Sequence, residues 1–108
     1  MPGIFRAYDI RGRYPDELDE AMARRIGNAF ARLLSAEQVV VGRDMRLSAE
    51  SLAGALAKGV LEAGADVADV GEVSTPLLNY AIIAGGFDGG AMVTASHLPG
   101  DMNGVKLA

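Results

Sequence analysis

Leu18, Met22, Ile26, Ala29, Phe30 and Leu33 recur three or four residues apart, the spacing of one buried helical face. This pattern predicts a helix ending at 34, and either Asp16 or Asp19 can cap its start. Val39, Val40 and Val41 follow without alternation, which predicts a strand over 38–41 buried on both faces. It exits into Gly42-Arg43-Asp44-Met45-Arg46. Ser48 is placed to cap a second helix from 49 to about 63, with Leu52, Leu56 and Val60 facing inward and Gly64 at its end. A strand over 65–70 comes next and leaves through Gly71-Glu72-Val73-Ser74. Thr75 before Pro76 predicts a cap with proline at the first helical position, so a short helix is expected over 76–84, stopped by Gly85-Gly86. A fourth buried strand is expected over 91–95. The chain opens with a short strand over 4–8, and Asp9-Ile10-Arg11-Gly12 reads as its polar exit. At the other end, 105–108 is expected to pair back against the strand at 91–95, with Asn103-Gly104 as the turn.

Strands alternating with helices predict an α/β fold: three layers, α/β/α, around a mainly parallel, mixed sheet. Ligands of such sheets gather at the carboxyl ends of the strands. Arg11, the Arg43-Asp44-Arg46 cluster and Ser96 are each read as following a strand, so one edge is expected to collect them as a local cationic rim.

With 108 residues, half of them hydrophobic, the chain suits one domain with a modest core. It contains no cysteine, which fits a reducing, cytoplasmic compartment. No apolar run is long enough to span a bilayer, and the first dozen residues, with Arg6, Asp9 and Arg11, do not resemble a signal peptide. No membrane partner is expected. A net charge of −4 argues against nucleic acid as a partner.

The densest chemistry lies in T-A-S-H-L-P-G-D-M-N-G-V-K, residues 94–106. Ser96 by itself reads as a turn residue or a cap. His97 is the only histidine, but side chains of adjacent extended residues point to opposite faces. His97 is therefore poorly placed to deprotonate Ser96 as in a hydrolase triad, and the elbow G-x-S-x-G is absent. The segment closely resembles the active-site loop of the α-D-phosphohexomutases, T-A-S-H-N-P followed shortly by N-G-x-K. A second resemblance is F-R-A-Y-D-I-R-G at 5–12, which looks like the opening of the phosphomannomutase/phosphoglucomutase branch. A third is G-R-D-M-R-L-S at 42–48, similar to the family's G-R-D-G-R-L-S. Residues 66–76 resemble its D-V-G-x-x-x-T-P segment.

The resemblance implies that Ser96 is the phosphoserine that gives its phosphoryl group to a hexose monophosphate and regains one from the bisphosphate intermediate. The 1- and 6-phosphates are thereby interchanged. It places Tyr8, Arg11 and Lys106 toward the phosphosugar, and His97, Lys106 and Arg11 around the phosphoserine as groups that move protons or balance charge. Which of them is the general base stays open. For the other two segments a structural role is expected, with Asp44 paired to Arg43 or Arg46. The implied cofactors are Mg²⁺, held partly by phosphorylated Ser96, and glucose or mannose 1,6-bisphosphate.

Leu98 stands where the family usually has asparagine, and Met45 where it has glycine. The family's metal loop D-x-D-x-D-R, its sugar-recognition loop and its phosphate-binding loop are not found. The resemblance thus implies that residues 1–108 form the phosphoserine-bearing N-terminal domain 1, incomplete at its carboxyl end, with the remaining domains of the parent mutase as partners. Alone it is expected to be nearly inactive. The competing reading is a stand-alone phosphosugar- or anion-binding module without catalysis. A third reading, a folding fragment ending inside a strand, expects an exposed strand edge that invites self-association.

Overall fold

A computed structural model describes residues 5–6, 9–14, 16, 18–44, 49–94 and 102–107. The elements run β1 (Phe5–Arg6), β2 (Asp9–Arg13), α1 (Glu20–Leu34), β3 (Gln38–Arg43), α2 (Ala49–Glu62), β4 (Asp66–Glu72), α3 (Thr75–Gly85), β5 (Gly89–Val93) and β6 (Met102–Leu107). The six strands form one sheet in the order β1-β2-β6-β5-β3-β4. β3 pairs in parallel with β4 and β5, whereas β6 is antiparallel to both β5 and β2. β2, β5, β3 and β4 consequently run the same way, and the sheet is mixed with one predominant direction.

Alternation along the strands divides the core. Val39, Val41, Ala91, Val93 and Val105 pack with α1 and α2 on one face. Val40 and Met92 pack with Leu78 of α3 on the other. The three consecutive valines are fully buried because both faces of β3 are covered by helices. This is the expected three-layer α/β/α architecture.

Asp19 caps α1, its carboxylate accepting from the Met22 amide at 2.8 Å. Ser35 ends the helix in the left-handed region, at φ 50°, and its amide closes the last turn on Ala31 and Arg32. The cap of α3 is Ser74, one residue before the expected Thr75; its hydroxyl accepts from the Leu77 amide at 3.3 Å. Ser74 takes the role because its backbone is extended (φ −79°, ψ 156°) while Thr75 is already helical. Ser48, the expected cap of α2, lies outside the described residues, as do Met45 and Arg46.

Two further expectations are corrected. The opening segment is two short antiparallel strands with Asp9–Arg13 as the second, so Arg11 lies within a strand and not beyond one. Asn103-Gly104 is not a turn: both residues belong to β6 and pair with Gly12 and Arg11. Pairing of both residues with β2, and the Thr94 amide on the Gly104 carbonyl, prevail over the local turn preference of the dipeptide. The strand at the chain end does pair back on β5, but β2 covers its other side. The expected open edge at β6 is therefore absent, and among the described strands β4 forms one edge of the sheet. β4 exposes Asp66, Asp69 and Glu72, and its register with β3 shifts between Val41 and Gly42. Charges and an irregularity of this kind discourage edge-to-edge pairing.

Candidate functional site

The register defines a continuous row across the sheet at the carboxyl ends of the parallel strands. Ile10 of β2 pairs with Val105 of β6, Val105 with Val93 of β5, Val93 with Arg43 of β3, and Arg43 with Glu72 of β4. One residue further out, Arg11 pairs with Gly104. The Thr94 amide donates to the Gly104 carbonyl at 2.9 Å, and the Asp44 amide to the Val93 carbonyl at 3.0 Å. Lys106 sits one step inward, opposite both Met92 and Asp9. The backbones of Arg11 and Lys106 are thus on adjacent strands and two register positions apart. Thr94, which is buried, carries the chain out of β5 toward the segment that contains Ser96.

Ser96, His97, Leu98 and Tyr8 lie outside the described residues, and for Arg11 and Lys106 only the backbone is described. The structure therefore brings together the backbones of two expected site residues and the strand that leads to a third.

At the far end of the row Arg43 forms an ion pair with Glu72 of β4, Nη1 to Oε1 at 3.4 Å. Of the two arginines expected beside Asp44, Arg43 thus pairs with Glu72, and Arg46 lies outside the described residues. β4 lies directly alongside β3, so Glu72 is the register partner of Arg43, whereas Asp44 is its neighbour in the chain. The charge of Arg43 is engaged by a carboxylate, in keeping with the structural role expected of this segment. Arg43, Asp44, Glu72, Val73 and Ser74 line a shallow cleft of about 310 Å³.

A polar cluster that no linear spacing announces braces the same edge. The Glu20 carboxylate, in the first turn of α1, accepts from the Tyr14 hydroxyl and the Ser51 hydroxyl, both at 2.5 Å. Tyr14 follows β2 and Ser51 lies in the first turn of α2. One carboxylate therefore ties together the exit of β2 and the amino ends of two helices. The hydroxyls of Ser51 and Tyr14 hold the Glu20 carboxyl below its ordinary value, and the bond to Glu20 raises the Tyr14 phenol. Residues 31 positions apart leave no periodic trace, and an acidic residue at a helix start is ordinary.

Among the described residues no three histidine, cysteine, aspartate or glutamate side chains converge to hold a metal ion. No described helix is long and apolar enough to cross a membrane.

A mixed α/β/α domain with one predominant strand direction is of the class whose ligands gather at the carboxyl ends of the strands. The comparison with known proteins makes the family specific. Residues 2–108 match the family model described as phosphoglucomutase/phosphomannomutase, alpha/beta/alpha domain I, and the chain belongs to that family. It is 52% identical over 103 residues to a phosphomannomutase of Salmonella typhimurium, covering 95% of this chain and 23% of the relative. It is 50% identical over 107 residues to a phosphomannomutase of Escherichia coli, covering 99% and 24%. A crystal structure of a phosphoglucomutase/phosphomannomutase family protein from Burkholderia thailandensis superposes with a TM-score of 0.87 at 47% identity, covering 96% of this chain and 25% of that one. The chain spans about a quarter of the length of these relatives.

Proposed function

We propose that residues 1–108 are the phosphoserine-bearing first domain of a hexose-phosphate mutase, incomplete at the carboxyl end of that domain, and that the longer parent protein interconverts hexose 1-phosphates and hexose 6-phosphates. The observation that carries this reading is the register at the carboxyl edge. It puts Arg11, through Gly104, beside the strand that leads to Ser96, with Lys106 two positions away. Phosphoryl transfer is governed by positioning and by stabilisation of charge on the phosphoryl oxygens, and this edge supplies cationic residues on rigid strands.

In this reading the phosphate on Ser96 Oγ passes to a free sugar hydroxyl. The Oγ–P bond breaks as the sugar O–P bond forms, and the hydroxyl proton is taken up by a neighbouring base. The resulting hexose bisphosphate returns its other phosphoryl group to Ser96, which leaves the isomeric monophosphate. His97, Lys106 and Arg11 surround the phosphoserine as proton carriers or counter-charges, and Tyr8, Arg11 and Lys106 face the phosphosugar. The described residues do not furnish a magnesium site by themselves. Mg²⁺, which neutralises phosphoryl charge when bound, is assigned to phosphorylated Ser96 together with ligands from the other domains of the parent. A cytoplasmic location, the expectation for a chain without cysteine, is part of the same proposal.

The test is phosphoryl capture. Parent protein incubated with hexose 1,6-bisphosphate labelled in its phosphates is expected to carry the label on the peptide containing Ser96. Ser96→Ala is expected to take none and to lose turnover. Turnover by the Ser96→Ala parent refutes the proposal. Phosphosugar binding without label transfer favours the non-catalytic binding module instead.

A further inference from the structure

The strand register also assigns positions to faces of the sheet. Val105 of β6 is buried with α1 and α2, and Tyr14 packs against the same cluster. Ile10 pairs with Val105, so alternation places Asp9, Arg11 and Arg13 of β2 on the opposite face, the α3 side. Lys106 belongs to that face as well, because its register partner Met92 is buried beneath α3. Arg6 of β1 pairs with Asp9 and therefore shares its face. On the α3 side, β1, β2 and β6 thus carry Arg6, Arg11, Arg13 and Lys106 against one carboxylate, Asp9, in a chain whose net charge is −4. α3 itself lies over β3 and β5, and among the described residues none from β1, β2 or β6 joins its cluster.

The charges along this strip are not evenly balanced. Asp9 stands in register between Arg6 and Lys106, whereas Arg11 and Arg13 stand opposite the uncharged Gly104 and Met102. The excess positive charge is therefore at the carboxyl edge. Met102 is the first residue of β6 after the segment that contains Ser96, and Arg13 lies two residues beyond Arg11, roughly 6.6 Å further toward that edge at 3.3 Å per residue. The backbone of Arg13 is held from the other side of the sheet: Tyr14, which follows it, donates its hydroxyl to Glu20 at 2.5 Å. From this placement we infer that Arg13 is a further phosphate-binding residue, which acts with Arg11 on the phosphoryl group that passes between Ser96 and the sugar. The inference rests on the mutase reading. A phosphoryl group offers several strong acceptor oxygens, and guanidinium groups recognise them in a bidentate manner. Two arginines on one strand face supply such donors from two separate points.

A charge series at position 13 of the full-length parent tests this. Arg13→Lys, Arg13→Gln and Arg13→Glu are compared by kcat/KM for a hexose 1-phosphate and by thermal midpoint, with Lys58→Gln, at an exposed position of α2, as the control for net charge. Arg13→Gln is expected to lower kcat/KM at least ~10-fold, the scale for loss of a hydrogen bond to a charged group. Arg13→Glu is expected to lower it further and Arg13→Lys to retain most of it, because an ammonium still binds phosphate as a point charge. The midpoints and the Lys58→Gln variant are expected to match the unmodified parent. Equal kcat/KM for Arg13→Gln and Lys58→Gln overturns the inference, and the mutase reading stands if the unmodified parent turns over and captures label on Ser96. Losses that follow the thermal midpoint and not the charge at position 13 assign Arg13 to structure and also overturn it. An unmodified parent with neither turnover nor label on Ser96 removes the mutase reading, and this inference with it.

Discussion

The side-chain amide of Asn28 in α1 donates to the carbonyl oxygen of Gly59 in α2 at 3.1 Å, which is possible because the two helices are nearly in backbone contact there. A Cβ at Gly59 would collide with the carbonyl of Arg24, and one at Gly27 with the carbonyl of Leu56. The helices therefore approach through a reciprocal pair of glycines, and this fixes how α1 and α2 sit on the sheet. Gly54, on the outer side of α2, has nothing within 4 Å.

Gly59→Ala is accordingly expected to destabilise the domain by about 1–3 kcal/mol through overpacking. Gly54→Ala is expected to stabilise it by about 0.5–1 kcal/mol through lower backbone entropy in the unfolded chain. Urea unfolding of the two variants checks the contrast. Equal effects would mean that the close approach is not obligatory.

Glu20 makes stability depend on acidity. Its carboxyl is held below its ordinary value of 4.5 by the Ser51 and Tyr14 hydroxyls. The folded state thus favours the ionised form, and this contribution is present above about the ordinary value and is lost as pH falls through the lower folded value. Denaturation midpoints measured from pH 6 down to about 3 are expected to fall more steeply for the unmodified chain than for Glu20→Gln. Parallel profiles would remove Glu20 from the account.

Ser74 is expected to contribute about 0.5–2 kcal/mol as the cap of α3, so Ser74→Ala should lower the thermal midpoint. Ser74→Asp should restore most of the loss, because a carboxylate accepts the same amide hydrogen bond and favours the positive helix end. A null result for Ser74→Ala would mean that the first turn does not depend on the Ser74 hydroxyl.

At the proposed site, the 108-residue chain alone is expected to be nearly inactive as a mutase, since the family's metal loop D-x-D-x-D-R is not found in its sequence. In the parent, Lys106→Ala is expected to lower kcat by about 10²–10⁴, the range for loss of a positioned proton carrier or counter-charge. A coupled assay for hexose 6-phosphate formation measures both, and robust turnover by the short chain would contradict the reading.

Much of this protein was legible along the chain because the signals are local. The apolar face of α1 at Ile26 and Phe30, the three valines of β3 and Asp19, one of the two expected caps, each reflect the preferences of neighbouring residues, and the structure reproduces them, although Ala29 and Leu33 of the expected face are exposed. Family membership was legible for another reason: the segments around Ser96 and Arg11 keep both residue type and spacing. Where reading the chain failed or was silent, the deciding partner was remote. Asn103-Gly104 carries a turn preference but lies in β6 because β2 pairs with both residues and the Thr94 amide donates to the Gly104 carbonyl. Arg43 meets Glu72, 29 residues away, across a parallel register that no local pattern encodes.

By itself, then, the sequence determined the order and kind of most elements, the α/β class and the chemistry gathered at residues 94–106. Only the tertiary structure decided that β6 enters between β2 and β5, that Arg11 lies within a strand opposite Gly104, and that Glu20 joins Tyr14 to Ser51. The physical reason is that helix periodicity and capping are set by neighbours a few residues apart. Strand order, register and helix approach are set by hydrogen bonds and packing between segments that meet only when the chain is folded.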